Sequence, residues 1–301
     1  MTEYSYHLLD VFTDRPFAGN PLAVFSDARG VSGELMQTIA RELNLSECSF
    51  VLPPDDPANH FRVRIFTPAV EMPMAGHPTI GTAYALARLG KIPATEGLVV
   101  VRFEEGVGPI PVEISFKNGQ PEQATMDQPV PTFGDILENR ADVAALLSVG
   151  VDDLDPRYPV QLVSSGVPFL MIPIRDRAAM ARLRLKTDIW ERDFKPIAPE
   201  FFMFTTETER PDSTVHCRMF GPALGITEDP ATGAAHGPLG AYLMKYGIIS
   251  GERAVFVSEQ GFEMGRPSLI TVTVETTGGE VSRVRVGGAS VIMGEGKIDA
   301  G

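Results

Sequence analysis

Glu47, His77 and Asp229 are the residues of this chain whose types and settings best suit proton transfer. Glu47 lies in Asn44-Leu45-Ser46-Glu47-Cys48-Ser49-Phe50, between a helix stop and the apolar run Phe50-Val51-Leu52. A carboxyl entering a buried strand loses solvent, which raises its pKa toward the range useful for moving protons. A helix-flanking surface Glu is the competing reading. His77 follows Gly76 at a helix start, where an imidazole can bond a substrate carboxylate or stay neutral beside the positive helix end. A purely structural histidine is equally open there. Asp229, in Glu228-Asp229-Pro230-Ala231-Thr232-Gly233, precedes a second helix start. It is either a turn or capping residue, or a group that faces His77 from the other half of the chain and orients it.

The two cysteines, Cys48 and Cys217, invite a two-thiol racemase reading, one thiolate removing a proton and the other returning it. That chemistry needs a cysteine near each glycine helix start, and those neighbourhoods read Ala75-Gly76-His77 and Thr232-Gly233-Ala234. Buried structural thiols are the better account of both. The five histidines lack HExxH or HxH ligand spacing, so no metal is expected. His216 aligns with Arg62 on the polar side of an alternating strand, which predicts a solvated face. His236 either lines the second helix start or flanks it; His7 and His60 have no supporting context. Gly76-x-x-x-x-Gly81 has neither GxGxxG order nor a Walker Gly-Lys-Ser/Thr, and nothing calls for NAD, ATP or pyridoxal phosphate.

The elements that must position these residues come in two matching sets. From Gly76 the chain reads Gly-His-Pro-Thr-Ile-Gly-Thr-Ala-Tyr-Ala-Leu to a stop at Gly90; from Gly233 a similar stretch runs to Gly247. The same spacing links Leu86 to Leu243, Ile92 to Ile249 and Gly108 to Gly265. Arg64-Ile65-Phe66-Thr67-Pro68-Ala69 corresponds to Arg218-Met219-Phe220-Gly221-Pro222-Ala223, and Gly19-Asn20-Pro21 to Gly166-Val167-Pro168. Unpaired N–H groups at a helix start carry partial positive charge, so each start is a potential anion site. Two such starts in a duplicated chain suggest one ligand held between two halves. Period-two alternation marks strands at Phe61–Ile65, Leu98–Phe103, Pro111–Phe116, Val215–Met219, Ala254–Ser258 and Leu269–Glu275. Helices are expected from Ser32, a good N-cap, to Leu43, over Ala178–Leu185, and near Arg140–Ala145. The polar stretch Asn118–Pro131 is the best linker candidate. Strands with one or two helices per half favour α+β over a doubly wound sheet.

The length predicts about two domains, and 44% hydrophobic with 22% charged residues is ordinary for a soluble globular chain. A net charge of −13 without Lys/Arg runs argues against nucleic acid and anionic membrane as partners. No signal peptide or spanning segment is read, and with two cysteines a cytoplasmic setting is expected.

Gly19-Asn20-Pro21, Ser46-Glu47, Met74-Ala75-Gly76-His77-Pro78-Thr79, Glu228-Asp229-Pro230-Ala231-Thr232-Gly233, Glu259-Gln260-Gly261 and Met264-Gly265-Arg266-Pro267-Ser268 together resemble the PhzF-like phenazine-biosynthesis family. The resemblance covers nearly the whole chain. It implies a diaminopimelate-epimerase-like fold: two similar α+β lobes from an internal duplication, each a curved, mostly antiparallel sheet or barrel around a central helix. Residues 1–128 with 288–301 would form the first lobe and 129–287 the second, the last strand returning to the first. It further implies Glu47 as general acid/base, His77 and Asp229 as its catalytic partners, and substrate bound by Asn20, Gly76, Gly233 and Ala234. No cofactor is implied, and a homodimer is. The phenazine enzyme has Ser after the second helix-start Gly, where this chain has Ala234, so the isomerase class carries over and the dihydro-hydroxyanthranilate substrate does not.

The leading expectation is a cofactor-independent isomerase or epimerase moving a proton on a small carboxylated metabolite. A non-catalytic binding protein for an anionic small molecule is the alternative from another class, and the two-thiol racemase is a third.

Overall fold

The computed structural model describes residues 3–300 and divides into two compact units, residues 1–127 with 287–301 and residues 128–286. The fold is mixed α/β, with parallel and antiparallel strand pairs in each unit.

The first unit runs β1 (Glu3–Val11), β2 (Asn20–Phe25), α1 (Gly33–Leu43), β3 (Glu47–Leu52), β4 (Phe61–Phe66), β5 (Glu71–Met72), α2 (Gly76–Arg88), β6 (Gly97–Glu105), β7 (Gly108–Lys117) and β8 (Gln120–Gln128). The β1/β2, β3/β4, β6/β7 and β7/β8 pairs are antiparallel; β2/β3 and β4/β6 are parallel. Antiparallel pairs predominate, as expected, and the two parallel pairs arise where α1 and α2 each carry the chain back across the sheet.

α1 forms where its apolar spacing predicts. The Ser32 side chain accepts from Leu35 N, Asn44 ends the helix in the left-handed region at φ 50°, and Met36, Ile39 and Ala40 are buried. α2 is buried from Gly76 through Ala83 and packs against β1, β2, β3 and β7. Its close approach depends on Gly81, where a Cβ would come within 2.6 Å of Leu22 and Val11 side-chain carbons. Fully burying Ile80 and Leu86 stabilises the packing by about 1.5–3 kcal/mol each.

The second unit runs β9 (Thr132–Ile136), α3 (Arg140–Leu146), β10 (Gln161–Ser164), β11 (Pro168–Pro173), α4 (Arg177–Arg182), α5 (Thr187–Ile189), β12 (Phe201–Thr205), β13 (Val215–Gly221), β14 (Ile226–Asp229), α6 (Gly233–Lys245), β15 (Arg253–Gln260), β16 (Ser268–Thr277) and β17 (Glu280–Gly288). β10/β11, β12/β13 and β15/β16 are antiparallel; β11/β12 and β13/β15 are parallel. α6 packs on β10, β11 and β16. A separate core of Leu146, Leu170, Ile172, Met180, Phe194 and Phe201 lies under α3 and α4. The chain then returns to the first unit as β18 (Ser290–Asp299), antiparallel to β1 from Glu3↔Asp299 to Val11↔Ser290.

Two expectations change. Asn118–Pro131 is not an irregular linker: most of it is β8, whose Pro121, Ala124, Met126 and Gln128 are buried while it pairs with β7. Ala178–Leu185 is shortened to α4, because Arg218 Nη1 donates to the carbonyls of Met180 and Leu183 and Leu183 turns to an extended ψ of 133°. No helix of the described residues is long and apolar enough to cross a membrane.

Candidate active site

Three of the expected residues meet in the first unit. Glu47 is the first residue of β3, Asn20 the first of β2, and His77 the second of α2. Asn20 is fully buried, His77 is 3% exposed and Glu47 8%. His77 Nδ1 lies 3.2 Å from Glu47 Oε2 and 3.2 Å from Asn20 Nδ2. The Glu47 contact has ion-pair geometry, but burial pulls the imidazole down to about 3, so the ring is neutral at ordinary pH. A neutral ring has one N–H for two nitrogens. If Nε2 holds it, the single lone pair of Nδ1 accepts from the Asn20 amide and is not free to bond Glu47 as well. If Nδ1 holds it, Nδ1 donates to Glu47, and the Asn20 amide turns its oxygen inward. In the second arrangement a single proton lies between Glu47 and His77. His77 Nε2 is buried with no partner among the described residues, leaving that end of the ring available to a ligand.

The α2 and α6 starts differ from those of α1, α3 and α4. Ser32, Asn139 and Asp176 cap α1, α3 and α4 with their side chains. Ala75 and Thr232, at the N-caps of α2 and α6, make no such bond. Their first N–H groups are therefore free of side-chain caps, the arrangement an anion-binding helix end requires.

In the second unit Asp229, Gly233 and Ala234 stand around the α6 start. The Thr232 hydroxyl donates to Asp229 Oδ2 at 2.6 Å, so part of the Asp229 carboxylate serves the turn. Gln260 fixes this turn: its Nε2 donates to Asp229 O and Thr232 Oγ1, and its Oε1 accepts from Thr232 N. Gln128 Nε2 donates to Gly233 O at 2.9 Å. Gln128 and Gln260 lie outside the expected site residues; the Glu-Gln-Gly run marks Gln260, and the inward period of β8 marks Gln128.

Two histidine readings are settled by their partners. His216 is not on a solvated face. It is 1% exposed, with Nδ1 2.8 Å from Glu259 Oε1 and Nε2 2.9 Å from Glu263 Oε1. Burial pulls its pKa down, but both hydrogen bonds and both charges outweigh that and carry it up to about 9. The ring is a structural cation. His236 is fully buried, bonded to Thr232 O and Ser258 Oγ, and burial lowers it to about 4. It supports the α6 start from within the core.

A cavity of about 640 Å³ in the second unit, lined among others by Leu183, Trp190, Arg218, Phe220 and Glu228, contains none of the candidate residues. Among the described residues, no cluster of three or more His, Cys, Asp or Glu could hold a metal ion.

A sequence profile described as phenazine biosynthesis-like protein matches residues 9–296. The chain belongs to that family. An uncharacterized isomerase of Mesorhizobium japonicum is 37% identical over 99% of both chains. The trans-2,3-dihydro-3-hydroxyanthranilate isomerase of Pseudomonas chlororaphis is 35% identical over 98% of this chain and 99% of the relative. A PhzF-family phenazine biosynthesis protein of Bacillus anthracis superposes with a TM-score of 0.90 at 29% identity, covering 99% of this chain and all of that one. A probable proline racemase of Agrobacterium radiobacter, at 12% identity and a TM-score of 0.68 over 99% of this chain and 93% of that one, shares the fold. Membership of the phenazine biosynthesis-like family makes the protein an isomerase.

The fold is shared with a probable proline racemase, and the state of the two thiols bears on a thiol mechanism. Both are buried; Cys48 is pushed up to about 12 by burial and by Glu47, and Cys217 is raised further by burial. Neither is a thiolate at neutral pH. The Cys48→Ala/Cys217→Ala double variant should keep its turnover in a steady-state assay; loss of turnover with the fold intact would restore the thiol mechanism.

Proposed function

We propose that the protein is a cofactor-independent isomerase that moves a proton on a small carboxylated metabolite, with Glu47 as acid/base. The observation that carries this reading is the buried Glu47 Oε2 3.2 Å from the neutral His77 ring, at the uncapped start of α2. Glu47 takes a proton from a substrate carbon and delivers it to another position, so the substrate is rearranged with no net gain or loss of atoms. His77 exchanges the shared proton with Glu47 and offers Nε2 to the ligand. Asn20 holds the ring, and the Gly76 helix start receives the carboxylate. Gly233, Ala234 and Asp229 are assigned to substrate binding and proton relay at the second helix start. Electrostatic help from such preorganised donors contributes about 2.7–4 kcal/mol per donor to transition-state stabilisation.

The relatives named as trans-2,3-dihydro-3-hydroxyanthranilate isomerases support a carboxylated substrate. Ala234 in place of the Ser of that enzyme supports a different member of the class. We also read the two units as copies of one ancestral lobe. The support is their shared succession of antiparallel, parallel, antiparallel, parallel and antiparallel pairs, from β1 to β7 and from β10 to β16.

Incubation with a panel of small carboxylates in deuterated water tests the reading. The expected result is deuterium at a carbon of at least one compound, at a rate that vanishes without protein. Saturable binding across the panel with no carbon exchange would instead indicate a binding protein.

A further inference from the structure

Glu105 closes β6 with its side chain turned inward, beside the first turn of α2. It is 7% exposed, and Thr79 Oγ1 lies 2.6 Å from both Glu105 Oε1 and the carbonyl oxygen of Ala75. A hydroxyl has one hydrogen to donate. The Ala75 carbonyl can only accept, so the Thr79 hydrogen goes there, and the short Glu105 contact needs a hydrogen from the carboxyl. If Glu105 were ionised, the Thr79 hydrogen would turn to it and leave two bare oxygens 2.6 Å apart at Ala75. Glu105 Oε2 has no partner among the described residues. An unpartnered neutral carbonyl oxygen is far cheaper to bury than an unpartnered charge.

We propose that Glu105 is kept as a neutral carboxylic acid and acts as a positioning residue, its proton holding the Glu105–Thr79–Ala75 chain that sets the helix start carrying His77. The inference rests on the reading of that helix start as the substrate carboxylate site. Loss of the proton does two things. It withdraws the Thr79 hydrogen from the N-cap carbonyl, and it places a negative charge beside the end that receives an anion, cancelling the field of the helix start.

Burial raises Glu105 to about 8, with the Thr79 hydrogen bond opposing it. No other charge intervenes. α2 carries His77, Tyr84 and Arg88, β4 carries Arg62 and Arg64, β5 carries Glu71, and β7 carries Glu113 and Lys117. Of these, Arg62 pairs with Asp55, Arg64 with Glu71 and Lys117 with Glu122, and none pairs with Glu105. The adjacent Glu104 points outward and accepts from the backbone N–H groups of Asp55 and Asp56.

The direct test is a carbon-13 NMR titration of side-chain carboxyls in glutamate-labelled protein, the Glu105 resonance being the one lost in Glu105→Gln. It should titrate near pH 8; titration close to the ordinary value of 4.5 would overturn the proposal. The functional readout is binding of 3-hydroxyanthranilate as a probe carboxylate by calorimetry. In the wild type its Kd should rise above pH 8, up to about tenfold per pH unit, and Glu105→Gln should lack that limb while Glu105→Leu weakens binding at every pH. An unchanged alkaline limb in Glu105→Gln would also overturn it. These results are independent of whether Glu47 is the base, since neither requires turnover.

Discussion

Glu47→Gln should lower turnover by about 10²–10⁴-fold and leave ligand affinity nearly unchanged. Gln fills the same volume at the start of β3 and its amide still bonds His77 Nδ1, so Asn20, the ring and the α2 start keep their places. What it loses is the ability to take a proton from carbon. The loss should therefore fall on kcat, with the binding constant for substrate moving little, as expected when a group acts only in the transition state. Solvent deuterium exchange should fall by the same factor as turnover. A variant that still exchanges at the wild-type rate would remove Glu47 from the mechanism. The neutral His77 gives the pH dependence of folding a definite sign. Its depressed value, about 3 against 6.5 unfolded, means that this stability is present above pH 6.5 and lost as pH falls toward 3.

His216→Leu should cost about 3–5 kcal/mol of stability at neutral pH, the usual penalty for removing one partner of a buried ion pair. The substitution leaves the Glu259 and Glu263 carboxylates facing an apolar side chain, one of them fully buried. The backbone N–H groups of Glu209 and Arg210 still donate to Glu259, which keeps the loss from being larger. The pH dependence distinguishes this from a simple cavity. The raised His216 value gives stability that is fully present below pH 6.5 and lost as pH rises through about 9, and the variant lacks that slope. Its deficit should shrink in acid as the two carboxylates protonate. Urea unfolding between pH 3 and 10 measures both; a deficit under about 1 kcal/mol, or one that ignores pH, would show that the triad is not a stabilising network.

The parts of the site that could be read from sequence are those set by local rules. α1 announces itself through Ser32, its apolar spacing and Asn44, and the two glycine helices through the Gly residues at which they begin and before which they stop. The burial of Glu47 followed from its place at the head of an apolar strand. What stayed hidden depends on pairings distant in sequence. His216 looks solvated beside its polar neighbours because Glu259 and Glu263 arrive only with β15 and the turn after it. Gln260 and Gln128 reach the α6 start from 28 and 105 residues away. Two misses had a usable signal. In β8, Ala124, Met126 and Gln128 alternate inward, although the polar residues between them suggest a linker. In β6, Val101, Phe103 and Glu105 share one face, so the period of two already pointed the second Glu of the Glu104-Glu105 pair into the core.

The pairing of β18 with β1 bears on how the chain is made. A ribosome delivers β1 first and β18 after the whole of the second unit, so throughout that interval β1 has β2 on one side and an open edge on the other. The second unit is one continuous stretch and needs no such delay. An open edge of this kind is a template for pairing with other chains. The nascent protein is therefore exposed to misassembly until Ser290–Asp299 has been made, and pairing of that strand with β1 removes the hazard.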